Sequence, residues 1–246
     1  MAVRLSIVTC TRNSMPLVRK CVATVEAALE GFRHEWEWII IDANSTDSCL
    51  DAFACSNEVR RFSRPAAGIY DALNFGVGVA RGEFVSYVHS DDEVDCAFFR
   101  NSHLLAGRAD SRLACEYGTV TFIDSHSKAL YSRTPPFFFE ALNQHTNLIF
   151  HPNAIWRRSY ELAHPYRTDV GAHADWMHTR ELTRSDVVRN PRMEYRFRIS
   201  EASTTRNNIQ GRQEFPLWNV VLLPYETRVL RRLGSRLLRR QGFWQT

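Results

Sequence analysis

Apolar residues come in short runs separated by helical stripes, which is the signature of alternating strands and helices. Arg4 to Cys10 is a brief β-rich run. Asn13 or Ser14 then caps a helix with Pro16 in its first turn. Leu17, Cys21, Val25 and Ala28 recur at helical spacing until Gly31 ends the pattern. Trp36 to Ile41 is a continuous apolar strand, suited to a sheet covered on both faces. It stops at the polar turn Asp42-Ala43-Asn44-Ser45-Thr46-Asp47. A third strand is predicted near Val59 to Phe62, a helix over Gly68 to Ala80, and a strand over Glu83 to His89 that leads into Ser90-Asp91-Asp92-Glu93. Another helix is expected from Asp95 to Leu105. These βαβ units imply a mostly parallel sheet flanked by helices.

The second half is less regular. Leu113 to Ile123 and Lys128 to Ser132 read as antiparallel strands, Ala154 to Leu162 and Ala174 to Leu182 as helices. Pro135-Pro136 interrupts the chain before Phe137-Phe138-Phe139, which reads as core or a subunit contact rather than a sugar-stacking platform. The pattern divides into residues 1–205, with halves 1–95 and 96–205, and an extension over 206–246.

The 246 residues include 31 basic and 27 acidic side chains. Six arginines lie between Arg228 and Arg240, so the positive excess belongs to the tail. A helix there sets Val229, Leu230, Leu233, Leu237 and Trp244 on one stripe and arginines on the other face. That reads either as an interfacial membrane helix or as a helix packed back on the domain. Cys10, Cys21, Cys49, Cys55, Cys96 and Cys115 form no C-x-x-C pair and are expected as free thiols of a reducing compartment. The opening residues turn polar too soon for a secretory segment, and no apolar run approaches the ~20 residues of a spanning helix. The expectation is a cytoplasmic protein, peripheral at most to a membrane, with no nucleic-acid partner.

Chemistry concentrates at strand ends, where open α/β sheets bind ligands. Asp42 follows one strand, Asp91 and Asp92 another, and Thr9, Thr11, Arg12 and Asn13 close the first. Adjacent carboxylates suit either a hard divalent metal shared with substrate phosphates or a solvated loop capping the next helix. With two lysines in the chain, no P-loop and no dinucleotide fingerprint, a diphosphate falls to metal, arginine and backbone.

Several runs together resemble a known family. Ser6-Ile7-Val8-Thr9, Thr11-Arg12-Asn13 and Trp38 through Asp47 look like the opening of family 2 glycosyltransferases. Gly68-Ile69-Tyr70-Asp71-Ala72-Leu73-Asn74, Ala80-Arg81-Gly82-Glu83 and Ser90-Asp91-Asp92 are similar to its "GIYDAMN…A-x-G-[DE]…N-x-D-D" run. His151 to Arg158 resembles "HQA-x-[FW]-x-R", and Ala174-Asp175-Trp176 resembles "A-D-[YW]-D", with Met177 in place of the second acid. The resemblance implies a GT-A fold, Rossmann-like, with an irregular acceptor-side half. It implies inverting transfer of a sugar from a nucleotide donor, a UDP-sugar foremost, to a glycan or polyprenyl-linked acceptor.

Carried over, Thr9, Arg12 and Asn13 would line the nucleotide pocket and Asp42 would meet the base. Asp71 would flank the ribose or donor sugar. Asp91 and Asp92 would hold Mg²⁺ or Mn²⁺, Asp92 most directly. His151 would serve the donor site. Asp175 would be the general base, with His173 and Glu181 as its nearby rivals. Competing readings are a sugar-nucleotide pyrophosphorylase-like enzyme, which lacks its basic Gly-rich loop here, and a non-catalytic nucleotide-sugar or nucleic-acid binder.

Overall fold

The computed structural model describes residues 2–53, 56–65, 67–134, 143 and 147–199. The tail helix over 228–244, the Phe137–Phe139 run and the boundary near 205 lie outside these residues.

Strands β1 (Leu5–Thr11), β2 (Trp36–Asp42), β3 (Val59–Ser63) and β4 (Phe84–Tyr87) form the parallel part of the sheet, in the order β3-β2-β1-β4. Helix α1 (Leu17–Leu29) covers one face with Val18, Cys21, Val25 and Ala28 against Leu5, Ile7, Trp38 and Ile40. Helix α2 (Ile69–Val79) covers the other face, packing Ala72, Leu73 and Val77 against Val8, Ile39 and Ile41. Alternate residues of β1 and β2 thus feed opposite cores, as expected of strands apolar on both faces. Gly76 permits the close approach of α2, since a Cβ there would sit 2.5 Å from Val8 Cγ1. In register, Thr11 lies beside Asp42, so the ends of β1 and β2 open on the same sheet edge.

Beyond β4 the sheet turns mixed. Strand β5 is Glu93–Val94, β6 Cys115–Ile123, β7 Ala129–Arg133, β8 Ala154–Arg157 and β9 Val187–Arg198. The order continues β4-β8-β6-β9-β5, with β7 also on β6. Short helices α3 (Arg158–Ala163) and α4 (Ala174–Thr179) lie against this half.

Three expected helices are corrected. Residues 95–105 form successive turns, with Asp95 Oδ1 accepting from the Ala97 N–H in place of a helical ladder. Ala154–Arg157 is a strand, because it fills the gap between β4 and β6 and pairs with both; only Arg158–Ala163 is helical. The helix expected over Ala174 to Leu182 ends at Thr179.

β9 pairs parallel with β6 in two stretches, 187–189 and 194–198, shifting register beside Gly118. A Cβ on Gly118 would lie 2.2 Å from the Met193 carbonyl oxygen, a backbone atom that cannot swing away. Gly118→Ala is therefore expected to destabilise the protein by about 1–3 kcal/mol, the usual cost of overpacking. Thermal unfolding checks this, and an unchanged midpoint would show that β9 has room to shift.

Candidate active site

The β1 and β2 ends are laced together. Asn13 sits at positive φ, its N–H donates to Ser45 Oγ (3.0 Å) and its Oδ1 accepts from the Thr46 N–H (2.8 Å). Asp42 is buried, with both carboxylate oxygens 3.2 Å from the Ser45 N–H that donates to them. Arg12 stands exposed beside this lacing. Thr9 does not belong to the cleft: it is fully buried, and its hydroxyl accepts a 2.9 Å bond from the Trp38 indole N–H. Residue parity on β1 explains this, because Thr9 shares the α1-facing side with Leu5 and Ile7.

Asp71 opens α2. Its carboxylate accepts from the Ala67 N–H (3.3 Å) and lies 3.3 Å from the Arg64 guanidinium. Arg64 also stacks over Phe75, 4.6 Å from the ring centre, so the segment before α2 is pinned to that helix.

The two acids after β4 point in different directions. Asp91 is half-buried. Asp92 is 1 % exposed; its Oδ2 accepts from the Tyr195 hydroxyl (2.8 Å) and its Oδ1 from the Arg198 backbone N–H (2.7 Å). Burial and the neighbouring Asp91 push its carboxyl well above the usual range. Asp92, expected as the more direct metal ligand, thus has both carboxylate oxygens engaged from within the protein, and Asp91 is the more exposed of the two. The cause is β9, whose Tyr195 and Arg198 occupy the inner carboxylate. Among the described residues, no three His, Cys, Asp or Glu side chains converge as a cage. An oxygen donor at a strand end still fits Mg²⁺ or Mn²⁺ of the kind that takes one or two carboxylates and completes its shell with phosphates and water.

His151 is buried, with Nε2 2.8 Å from His89 Nε2. Its ring meets Tyr70, Tyr87 and Tyr166 at 5.7–6.3 Å between centres. Burial, with His89 and His178 adding, keeps its imidazole well below the usual pKa, so it is neutral. Tyr70 stacks on Tyr166 at 5.4 Å. Burial, and then the negative charge of Asp175, push the Tyr70 hydroxyl well above its usual range. This aromatic wall connects the Asp91 loop, α2 and α4.

Asp175 starts α4 and is buried. Its Oδ1 accepts from the Trp176 N–H (2.7 Å), and its Oδ2 from Asn147 Nδ2 (3.1 Å). Burial raises its carboxyl to about 6, against the lowering effects of the Trp176 N–H, His178 and Asn147. A base that loses its proton just below neutrality suits abstraction of a hydroxyl proton. Glu181 is exposed and lines a separate groove of about 780 Å³ with Tyr160, His164 and Arg180. His173, half-buried, lies in the turn before α4.

The profile of glycosyl transferase family 2 matches residues 6–154. The chain belongs to this family. No curated protein sequence matches it. Among solved structures, TarS 1-349 of S. aureus in complex with UDP-GlcNAc is similar at a TM-score of 0.62 and 14% identity, over 82% of this chain and 60% of that one. The mannosyltransferase PcManGT of Pyrobaculum calidifontis, in complex with GDP-Man and Mn²⁺, gives 0.60 and 16% identity, over 86% and 61%. This family 2 chain has the GT-A fold and spans about 60% of the length of those structures.

Four site-shaping residues escape a reading of local sequence: His89, Asn147, Tyr195 and Arg198. For His89 a signal exists, since it stands where the family run carries Asn and so departs from the pattern. Tyr195 and Arg198 act on acids 103 and 106 residues earlier, which no local spacing reveals.

Proposed function

We propose that the chain is an inverting, metal-assisted glycosyltransferase that moves a sugar from a UDP-linked donor to a glycan or lipid-linked acceptor. Family membership supports the transfer class. The observation that carries the mechanism is Asp175, a buried carboxylate at about 6, held by Asn147 and joined through Tyr70 and His151 to the Asp91 loop. Asp175 takes the acceptor hydroxyl proton as that oxygen attacks the anomeric carbon. The nucleoside diphosphate leaves from the opposite face of the sugar. A divalent ion, when bound, neutralises charge on the departing diphosphate. Asp91 would hold it, while Asp92 is a positioning residue for the loop. Asp42 and the Asn13 lacing form the nucleobase end, and Asp71 the ribose or donor-sugar side. His151, neutral and walled by tyrosines, orients the donor without adding charge.

The tail arginines and their apolar stripe are proposed as a contact to an anionic membrane surface that would present a lipid-linked acceptor. In related solved structures the nucleotide sugar is UDP-GlcNAc in one and GDP-Man in another, so both bases belong in the test. A panel of UDP- and GDP-sugars with Mn²⁺ or Mg²⁺, scored for donor hydrolysis and transfer, tests the class. The anomeric configuration of the product, read by NMR, tests inversion. Retention, or turnover with nucleoside triphosphate and sugar phosphate instead, overturns the reading.

Asp42→Ala is expected to weaken UDP binding about tenfold with or without metal, because the base contact is independent of the phosphates and worth ~1–2 kcal/mol. Calorimetry against UDP and GDP checks it. An equal loss for both bases would remove the base-reading role.

A further inference from the structure

The acidic segment that leads from β4 into β5 carries three consecutive carboxylates, Asp91, Asp92 and Glu93, and most of the bonds that shape it come from β9. Tyr195 Oη accepts from the His89 N–H (3.2 Å) while donating to Asp92. Arg198 Nε donates to the Asp91 carbonyl (2.7 Å), its backbone N–H to Asp92, and one terminal nitrogen pairs with Glu93. The other terminal nitrogen donates to the Asp124 carbonyl (2.5 Å) in the β6–β7 turn. Arg198 is fully buried, and Arg196 lies farther from Glu93, at 3.4 Å. A buried guanidinium is costly unless its fork is filled. Here all three nitrogens are used, and two of them grip the acidic loop.

We infer that Arg198 is a positioning residue for the donor diphosphate and its metal, fixing the Asp91 main chain so that its carboxylate faces the cleft. This inference rests on the glycosyltransferase reading above. Guanidinium geometry is central. Nε and the two terminal nitrogens diverge in one plane toward three different acceptors, whereas a lysine ammonium at the same place keeps the charge and cannot span them. Partners that orient a ligand without touching the metal typically change its affinity by ~10–100-fold.

The test compares wild type, Arg198→Lys and the charge-neutral pair Glu93→Gln/Arg198→Met. Calorimetry measures UDP and GDP binding with and without Mn²⁺, and kinetics give KM for the donor, the Mn²⁺ activation constant and kcat. Amide exchange over residues 89–94 is followed in metal-free protein. Arg198→Lys is expected to raise the donor KM and the Mn²⁺ activation constant about tenfold or more. kcat at saturation should fall less, and exchange in the loop should rise. The double variant removes the buried charges together; it is expected to fold and to show the same affinity loss, so the conclusion stands even if Arg198→Lys unfolds. Reduced kcat with unchanged KM and metal constant would mean only a smaller folded fraction and would overturn the inference. So would wild-type affinity in the double variant. If wild type binds neither nucleotide with Mn²⁺, the donor-site reading falls and takes this inference with it. Wild-type binding equalled by both variants overturns the clamp alone.

Discussion

Asp175→Asn is expected to reduce sugar transfer by at least ~10²–10⁴-fold, the usual loss with a positioned base, while making the protein more stable. The two effects share one cause. Burial raises the carboxyl to about 6 in the folded protein, from 3.8 for the solvated side chain. The folded state therefore binds more protons than the unfolded chain between these values, and stability declines as pH rises through that window, then levels off above about 6. A shift of about two units is on the order of 3 kcal/mol. Asparagine removes that charge penalty and still accepts from the Trp176 N–H, but it loses one acceptor toward Asn147, worth ~1 kcal/mol. The net gain is about 1–2 kcal/mol at pH 7.5 and vanishes near pH 4. Denaturant unfolding at both pH values, beside UDP calorimetry and transfer assays, checks the set. Wild-type turnover should rise with pH through about 6. UDP and metal affinity should be unchanged in the variant. Near-normal transfer by Asp175→Asn, with collapse in His173→Asn or Glu181→Gln, would move the base.

Asp91→Asn is expected to abolish the metal-dependent part of nucleotide binding, a loss of about 10²-fold or more in donor affinity at saturating Mn²⁺, and to reduce turnover accordingly. Asp92→Asn should retain most of it, because the asparagine oxygen still accepts from the Arg198 N–H and the Tyr195 hydroxyl can accept from the new amide. Calorimetry of UDP with and without Mn²⁺ distinguishes the two variants. Intact metal dependence in Asp91→Asn, lost in Asp92→Asn, would return the direct contact to Asp92 and require the loop to turn over on binding.

The parallel half of the fold was legible because its signals are local. Trp36 to Ile41 announces a strand buried on both faces, and Ile69, Leu73 and Val77 announce the helix that covers one of them. Asp42 and Asp91 fall at strand ends for the same reason. The mixed half was less legible. Ala154–Arg157 has residues that suit a helix, and only partners on both sides make it a strand. β9 mixes arginines with apolar residues over 12 positions, and Arg198, the one of them that is buried, becomes tolerable inside the protein only beside acidic residues more than 100 positions away. Thr9 and Asp92 show a subtler limit. Motif spacing assigns each to a strand end, but parity along β1 and the presence of β9 decide which way each side chain points.

The reach of β9 back to residues 89–93 also bears on how the protein is made. During synthesis the acids at 91, 92 and 93 emerge long before Arg198, and until β9 is added alongside β6 their mutual repulsion has no buried cation to answer it. The acidic loop is thus among the last of the described parts to take shape, although its residues come more than 90 positions before β9. Chains stopped short of β9 would carry the motif in full and lack the residues that set it in place.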